Sequence, residues 1–283
     1  MDISRTIPMT IYDYVLDICG HDRFGAQFLG TILIVNVTFV LGNAFWAVID
    51  FVDPEWIQKY TVQGGKKFTL ERWTNALKLS TFNSTILLYV MMYLCYLYIP
   101  VDTSRNLPSF PRALIHFLFS MLVEDVSNYY VHRALHHPII YKHVHKIHHE
   151  YPKPFAMTAL YTHPIEYIVT IIRMLIGPTI IGAHITVVWA WLVTAQLALY
   201  TIHSGYHLPF CVSPEHHDWH HYSFNECFGS IRFIDRIHGT SKNFDSRAEG
   251  RRHQVTFTTT PVKELYPDDG KDEMKNYADV KDD

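Results

Sequence analysis

Two stretches of the chain lack charge for long enough to cross a bilayer. From Phe24 to Ile49, 26 consecutive residues contain no Asp, Glu, Lys or Arg, and from Leu79 to Val101 there are 23. As helices, either reaches across the roughly 30 Å hydrocarbon core. The first is expected to be retained and not cleaved as a signal peptide, because its apolar run is too long and begins too far from residue 1. A third stretch, Met174 to Ile231, contains no Lys or Arg and is mostly apolar only as far as Ile202. Together with Ile165 to Ile176 it predicts two arms joined by a turn, because Gly177-Pro178 and Gly182 interrupt the helical pattern. The hydrophobic pattern therefore predicts an all-α polytopic membrane protein with about four transmembrane helices.

Elsewhere the pattern changes from apolar to polar within single helices. Pro111 opens and Pro138 stops a predicted helix of about 26 residues. Its first half, Ala113 to Val123, is apolar, and its second carries Glu124, Asp125, Asn128, His132 and His136. Such a helix starts in lipid and ends in water. A shorter helix is expected from Ile140 to Glu150, with His145, His148 and His149, ended by Pro152 and Pro154. His203 and His207 end an apolar helix that starts near Val187 and stops at Pro209, and Ser213-Pro214-Glu215 reads as the start of a helix bearing His217, His220 and His221. The expected organisation is an N-terminal segment with two membrane helices (1–112), a catalytic domain (113–246) and a polar, mobile tail (247–283).

Composition agrees with a membrane protein, with 48% hydrophobic, 14% aromatic and 18% charged residues. A net charge of −3 suggests no nucleic-acid partner. Cys19, Cys95, Cys211 and Cys227 form no C-x-x-C, so neither a zinc ribbon nor a disulfide framework is expected. The sequence contains no G-x-G-x-x-G, G-x-S-x-G or H-E-x-x-H, so any reducing equivalents must come from another protein.

Histidine changes the picture most. Sixteen of the 19 histidines lie between His132 and His238, and ten form four tight groups: His132/His136, His145/His148/His149, His203/His207 and His217/His220/His221. At 3.6 residues per turn, H-x-x-x-H and H-x-x-H-H place each group on one helix face. Four such faces offer about ten imidazole donors, more than the four ligands of one structural zinc, and so call for two metals. Asp125 shares a stripe with His132 and His136, where it is an orienting acceptor, a ligand or a charge marking the membrane exit. Asn128, His163 and Asp218 are further candidates to orient imidazoles. His137, His143, His184, His216 and His238 fall outside the groups and are expected to be supporting or surface residues.

The chain resembles the membrane fatty acid hydroxylase/sterol desaturase superfamily in three boxes, His132-Arg133-Ala134-Leu135-His136, His145-Lys146-Ile147-His148-His149 and His217-Asp218-Trp219-His220-His221. Within it, the chain looks most like sterol C4-methyl oxidases, through Pro154-Phe155-Ala156-Met157, the run Tyr161 to Glu166, His203-Ser204-Gly205-Tyr206 and the His216-His217-Asp218 opening of the last box. His207 stands where those oxidases carry an acid; it completes an H-x-x-x-H similar to that of fatty acid 2-hydroxylases. Phe224-Asn225-Glu226-Cys227-Phe228 is similar to sterol side-chain hydroxylases.

The resemblance implies a mono-oxygenase with two iron ions and dioxygen as co-substrate, fed by cytochrome b5 and its NAD(P)H-dependent reductase, in the endoplasmic reticulum membrane. Its implied substrate is a 4-methyl sterol. The alternatives are a fatty-acid or sterol side-chain hydroxylase or a desaturase, and, from another class, a metal-buffering or metal-transporting membrane protein. Orientation draws on two opposed signals. Lys59, Lys66, Lys67, Arg72 and Lys78 favour a cytosolic first loop, whereas ten Lys or Arg after Ile231 favour a cytosolic tail and histidine-rich cap. The second agrees with a cytosolic electron donor.

Overall fold

The computed structural model describes residues 6–64 and 69–268; Lys66, Lys67 and residues 269–283 lie outside them. Helices supply the regular structure of the described residues, and the β pairing among them is limited to two isolated bridges, Thr61 with Tyr206 and Asp102 with His184. The protein is all-α, as the periodicity predicts.

Three helices are long and apolar enough to cross a membrane: Phe24–Val52, Leu70–Tyr98 and Ile185–His203. The first contains the charge-free run Phe24 to Ile49, and the second contains the other run as far as Tyr98. Val37, Val40, Leu41, Phe45 and Val48 are exposed along the first, as side chains that face lipid would be. The fourth expected arm, Ile165 to Ile176, lies in the helix Pro164–Ile180, which has 17 residues and contains Glu166 and Arg173. At about 1.5 Å per residue it is at the lower end of what a bilayer needs. Among the described residues, length and composition thus support three of the four expected crossings. The expected break at Gly177-Pro178 also moves. Pro178 is accommodated in the last turn, and the chain reverses at Gly182, whose φ of 62° suits a residue without Cβ.

The chain divides into two compact units, one of Met1–Val40, Phe82–Glu124 and Tyr167–Gln196, the other of Leu41–Thr81, Asp125–Glu166 and Leu197–Asp283. The boundaries fall inside long helices, so single helices contribute one end to each unit. In the first unit, small residues allow close helix packing. A Cβ on Gly177 would lie 2.7 Å from the Ser120 Cα, so a larger residue could not keep this approach. One turn along the same two helices, Arg173 pairs with Glu124, which offsets part of the cost of removing each charge from water. Trp189 Nε1 donates to Thr31 Oγ1 at 3.0 Å.

The second unit contains all four histidine groups. Its packing is built on Val62, Trp219, Cys227 and Phe244, with a second cluster of Tyr129, Phe228 and Ile234. The helix Phe110–Leu135 has the predicted 26 residues. Between Ile140 and Glu150 the single expected α-helix is replaced by a short α-turn, Pro138–Tyr141, and a 3₁₀-helix, His145–Glu150. The tail also differs from the expectation of mobility as far as Asp268. Arg252 is buried, donating to the Tyr266 carbonyl at 2.8 Å and pairing with Asp268, while Lys263 Nζ donates to the Val62 carbonyl at 2.7 Å. Polar composition concealed this packing, because isolated basic side chains here serve as anchors for backbone carbonyls.

Candidate metal centre

Nine of the ten predicted histidines converge in two groups. His132, His136, His145, His149 and His220 form one, and His148, His203, His217 and His221 the other. Each group has its ligand nitrogens within 4.8 Å of one another. The sequence boxes do not map one-to-one onto the groups. His145 and His149 enter the five-membered group while His148 points to the other, at 3.4 Å from His203 Nε2. In the helix Glu215–Ser223, His217 and His221 enter the four-membered group and His220 the first. Each H-x-x-H-H therefore serves both groups, a division that reading all three residues as one face had missed.

The nitrogen spacing fits metal ligation. In the first group the Nε2 atoms of His132 and His145, His145 and His149, His149 and His220, and His220 and His136 are each 3.1 Å apart. In the second, His217 Nε2 lies 2.9 Å from His203 and 3.0 Å from His221. Ligands at a metal–nitrogen distance of about 2.1 Å sit roughly 3.0 Å apart along an octahedral edge and roughly 3.4 Å along a tetrahedral one. The observed separations span that range.

Protonation gives a second, independent fit. His132 Nδ1 faces the Phe228 carbonyl at 2.8 Å, His220 Nδ1 the Glu226 carbonyl at 2.7 Å and His203 Nδ1 the Leu199 carbonyl at 2.8 Å. His145 Nδ1 faces Glu166 Oε1 at 2.9 Å. These oxygens only accept, so each Nδ1 carries the proton. Burial pushes His145 down to about 3 and His148 to about 4, and holds His149, His217, His220 and His221 well below the usual histidine range, with neighbouring imidazoles adding to the effect for most of them. The rings are therefore neutral, and an Nδ1–H tautomer leaves a lone pair on Nε2. His132 and His145 then face each other lone pair to lone pair across 3.1 Å, an arrangement that cannot be a hydrogen bond and that a shared cation satisfies.

His207 does not join either group. It is buried, but its Nε2 faces the Gln254 carbonyl at 2.9 Å and its Nδ1 faces Glu215 Oε1 at 3.4 Å, so neither nitrogen is directed at a metal. The four orienting candidates are placed as follows. Asp125 Oδ1 accepts the amides of Ser230 and Ile231, at 3.0 and 2.9 Å. Asn128 Nδ2 donates to the Phe228 carbonyl, the same oxygen that His132 uses. His163 Nδ1 accepts the Ile165 amide at 3.2 Å, at the start of its helix, and Asp218 is buried within electrostatic reach of Lys263. A carboxylate that bonds directly to an imidazole of the groups is Glu166, through His145. Its sequence signal is an acid in the first turn of a mostly apolar helix, a position where charge is costly unless it has a partner. The carbonyls of Phe228, Glu226 and Leu199 had no signal, since any residue type supplies one. His137, His143, His184, His216 and His238 lie outside both groups.

A fatty acid hydroxylase family model matches residues 117–240. The human fatty acid hydroxylase domain-containing protein 2 is 34% identical over 251 residues, covering 86% of this chain and 75% of that protein. The chain belongs to the fatty acid hydroxylase family. Within that family it is also similar to methylsterol monooxygenase 1 of Rattus norvegicus, 30% identical over 83% of this chain and 84% of that protein. A fatty acid hydroxylase of Mycosarcoma maydis is 33% identical over 83% of this chain and 62% of that protein. No solved structure matches the chain. The family match begins in the helix Phe110–Leu135 and ends at Thr240, and so contains all nine converging histidines, Glu166 and the Phe228 carbonyl.

Proposed function

We propose that this protein is a membrane mono-oxygenase that holds two iron ions and oxidises a C–H bond of a sterol, most specifically the C4 methyl group. The observation that carries this reading is the pair of converging, neutral, Nε2-directed histidine groups. The coarser statement, an oxygenase-type oxidoreductase acting on a lipid, follows from family membership and from the names of the relatives.

A C–H bond of a methyl group has no acidic proton and no leaving group, so acid-base chemistry alone does not break it; bound iron supplies the redox capacity and the site for dioxygen. The residues of the chain have separate tasks. Nine imidazoles direct Nε2 into the two groups, and for four of them, His145, His132, His220 and His203, Glu166 and three backbone carbonyls hold the proton at Nδ1, which fixes both tautomer and ring plane. Burial of His145, His148, His149, His220 and His221 keeps bulk water from the nitrogens. The apolar helices that end near these groups suit a substrate that arrives from the bilayer.

Three successive oxidations of one methyl group, through alcohol and aldehyde to carboxylate, require the same carbon to remain in one register. A rigid ring system satisfies that requirement better than a flexible acyl chain. We further assign the electron supply to cytochrome b5 and its reductase, and the setting to the endoplasmic reticulum, with the histidine groups on the cytosolic side. The second reading, a fatty-acid or side-chain hydroxylase, is favoured by the relative from Mycosarcoma maydis.

Mass spectrometry of products separates the two. Enriched membranes supplied with dioxygen, reductant, a 4-methyl sterol and long-chain fatty acids should yield the sterol 4-carboxylate. Hydroxylation confined to a fatty acid or a sterol side chain, with the 4-methyl group untouched, would move the assignment to the second reading.

A further inference from the structure

The segment Phe228–Ile231 supplies the carbonyl that takes the His132 proton, and its own amides are gripped in an unusual way. Asp235 Oδ1 accepts the Phe228 amide at 2.9 Å and Oδ2 the Gly229 amide at 2.7 Å. Asp125 Oδ1 accepts the next two, Ser230 at 3.0 Å and Ile231 at 2.9 Å. Four consecutive amides are thus held by two carboxylates, which are 0% and 2% exposed. This segment lies between helices, with Phe228 and Gly229 buried, and these carboxylates take the place of helical or sheet partners for its amides. Burying two acids beside one backbone segment is costly, and directed N–H groups offset part of that cost. Gly229 leaves room for the grip, since a Cβ there would meet Asp235 Oδ2 at 2.7 Å. The Phe228 ring also packs on His132, His136 and His220, all members of the five-histidine group.

We propose that Asp125 and Asp235 form a clamp on residues 228–231 that positions His132, through the Phe228 carbonyl, for metal binding by the five-histidine group. This rests on the two-metal reading above. Both are positioning residues, acting on the metal through the backbone and one imidazole.

The geometry predicts an asymmetry between the two acids. Asp125 uses one oxygen for both amides, so asparagine can keep those bonds through its Oδ1. Asp235 uses both oxygens, with Oδ1 also accepting Thr240 Oγ1 at 2.7 Å, so asparagine must turn an NH₂ group towards an amide N–H.

The test is cobalt(II) titration of the detergent-purified full chain, followed by the visible spectrum and by metal content, with each substitution also made in a His203→Ala background to isolate the five-histidine group. Asp235→Asn and Asp125→Ala should weaken cobalt binding to that group by about 10–100-fold, the usual effect of losing an orienting partner. The four-histidine group should be unaffected, and Asp125→Asn should bind close to wild type. Unchanged cobalt binding in Asp235→Asn, or equal losses in Asp125→Asn and Asp125→Ala, would overturn the clamp while leaving the metal reading intact. If Asp235→Asn does not fold, the Asp125 pair decides alone. A wild-type chain that binds no cobalt overturns the metal reading and the clamp together.

Discussion

His145 and Glu166 meet at 2.9 Å with both side chains buried, and the carboxylate takes the proton on the ring nitrogen opposite the one that points at the other histidines. Glu166 thereby dictates which nitrogen of His145 can bind a metal. Glu166→Ala should lower metal affinity by about 10–100-fold, and Glu166→Gln, which retains an acceptor oxygen, should lower it less. Competition with a chelator on the purified protein measures this. Equal affinity in wild type and Glu166→Ala would show that the tautomer is set by something else.

His207 stands apart from the nine converging histidines although sequence spacing pairs it with His203. Replacing His207 with Gln should leave metal content at the wild-type value, whereas His148→Ala should remove metal from its group. His143→Ala, outside both groups, serves as the control. Metal analysis that placed His207→Gln beside His148→Ala would restore it as a ligand.

Close packing in the first unit makes a separate prediction about stability. Gly177→Ala forces a Cβ to within 2.7 Å of the Ser120 backbone and should cost about 1–3 kcal/mol. Gly64→Ala, where a Cβ meets nothing within 4 Å, should leave the thermal midpoint unchanged. Equal midpoints for both variants in detergent would refute the close approach.

Much of this was legible in the sequence, for identifiable reasons. Charge-free runs such as Phe24 to Ile49 declare a spanning helix because a single segment satisfies its own backbone in lipid only as a helix. Of the ten histidines that the spacing singles out, nine converge. Less legible was how they divide, because in each H-x-x-H-H the i,i+4 pair enters one group and the histidine between them the other, on the 3₁₀-helix His145–Glu150 and the α-helix Glu215–Ser223 alike. His207 was misplaced by the same reliance on spacing. Its ring nitrogens are taken by Glu215 and the Gln254 carbonyl, and the latter belongs to a tail whose polar composition suggested no packing. Partners of the imidazoles were the least visible class, since three are backbone carbonyls.

Electron supply is a further consequence of the proposed function. Purified protein given NAD(P)H alone should form no product, and addition of cytochrome b5 with its reductase should start turnover. Product formation coupled to NAD(P)H oxidation by the chain alone would contradict the assignment of an external donor.

Metal stoichiometry tests the central claim most directly. Iron per chain, measured by mass spectrometry on folded, detergent-purified protein, should be two in wild type, one in His203→Ala with the five-histidine group still filled, and one in His145→Ala with the four-histidine group still filled. A wild-type chain that holds no metal under loading conditions, or a value of two that both substitutions leave unchanged, would contradict the account.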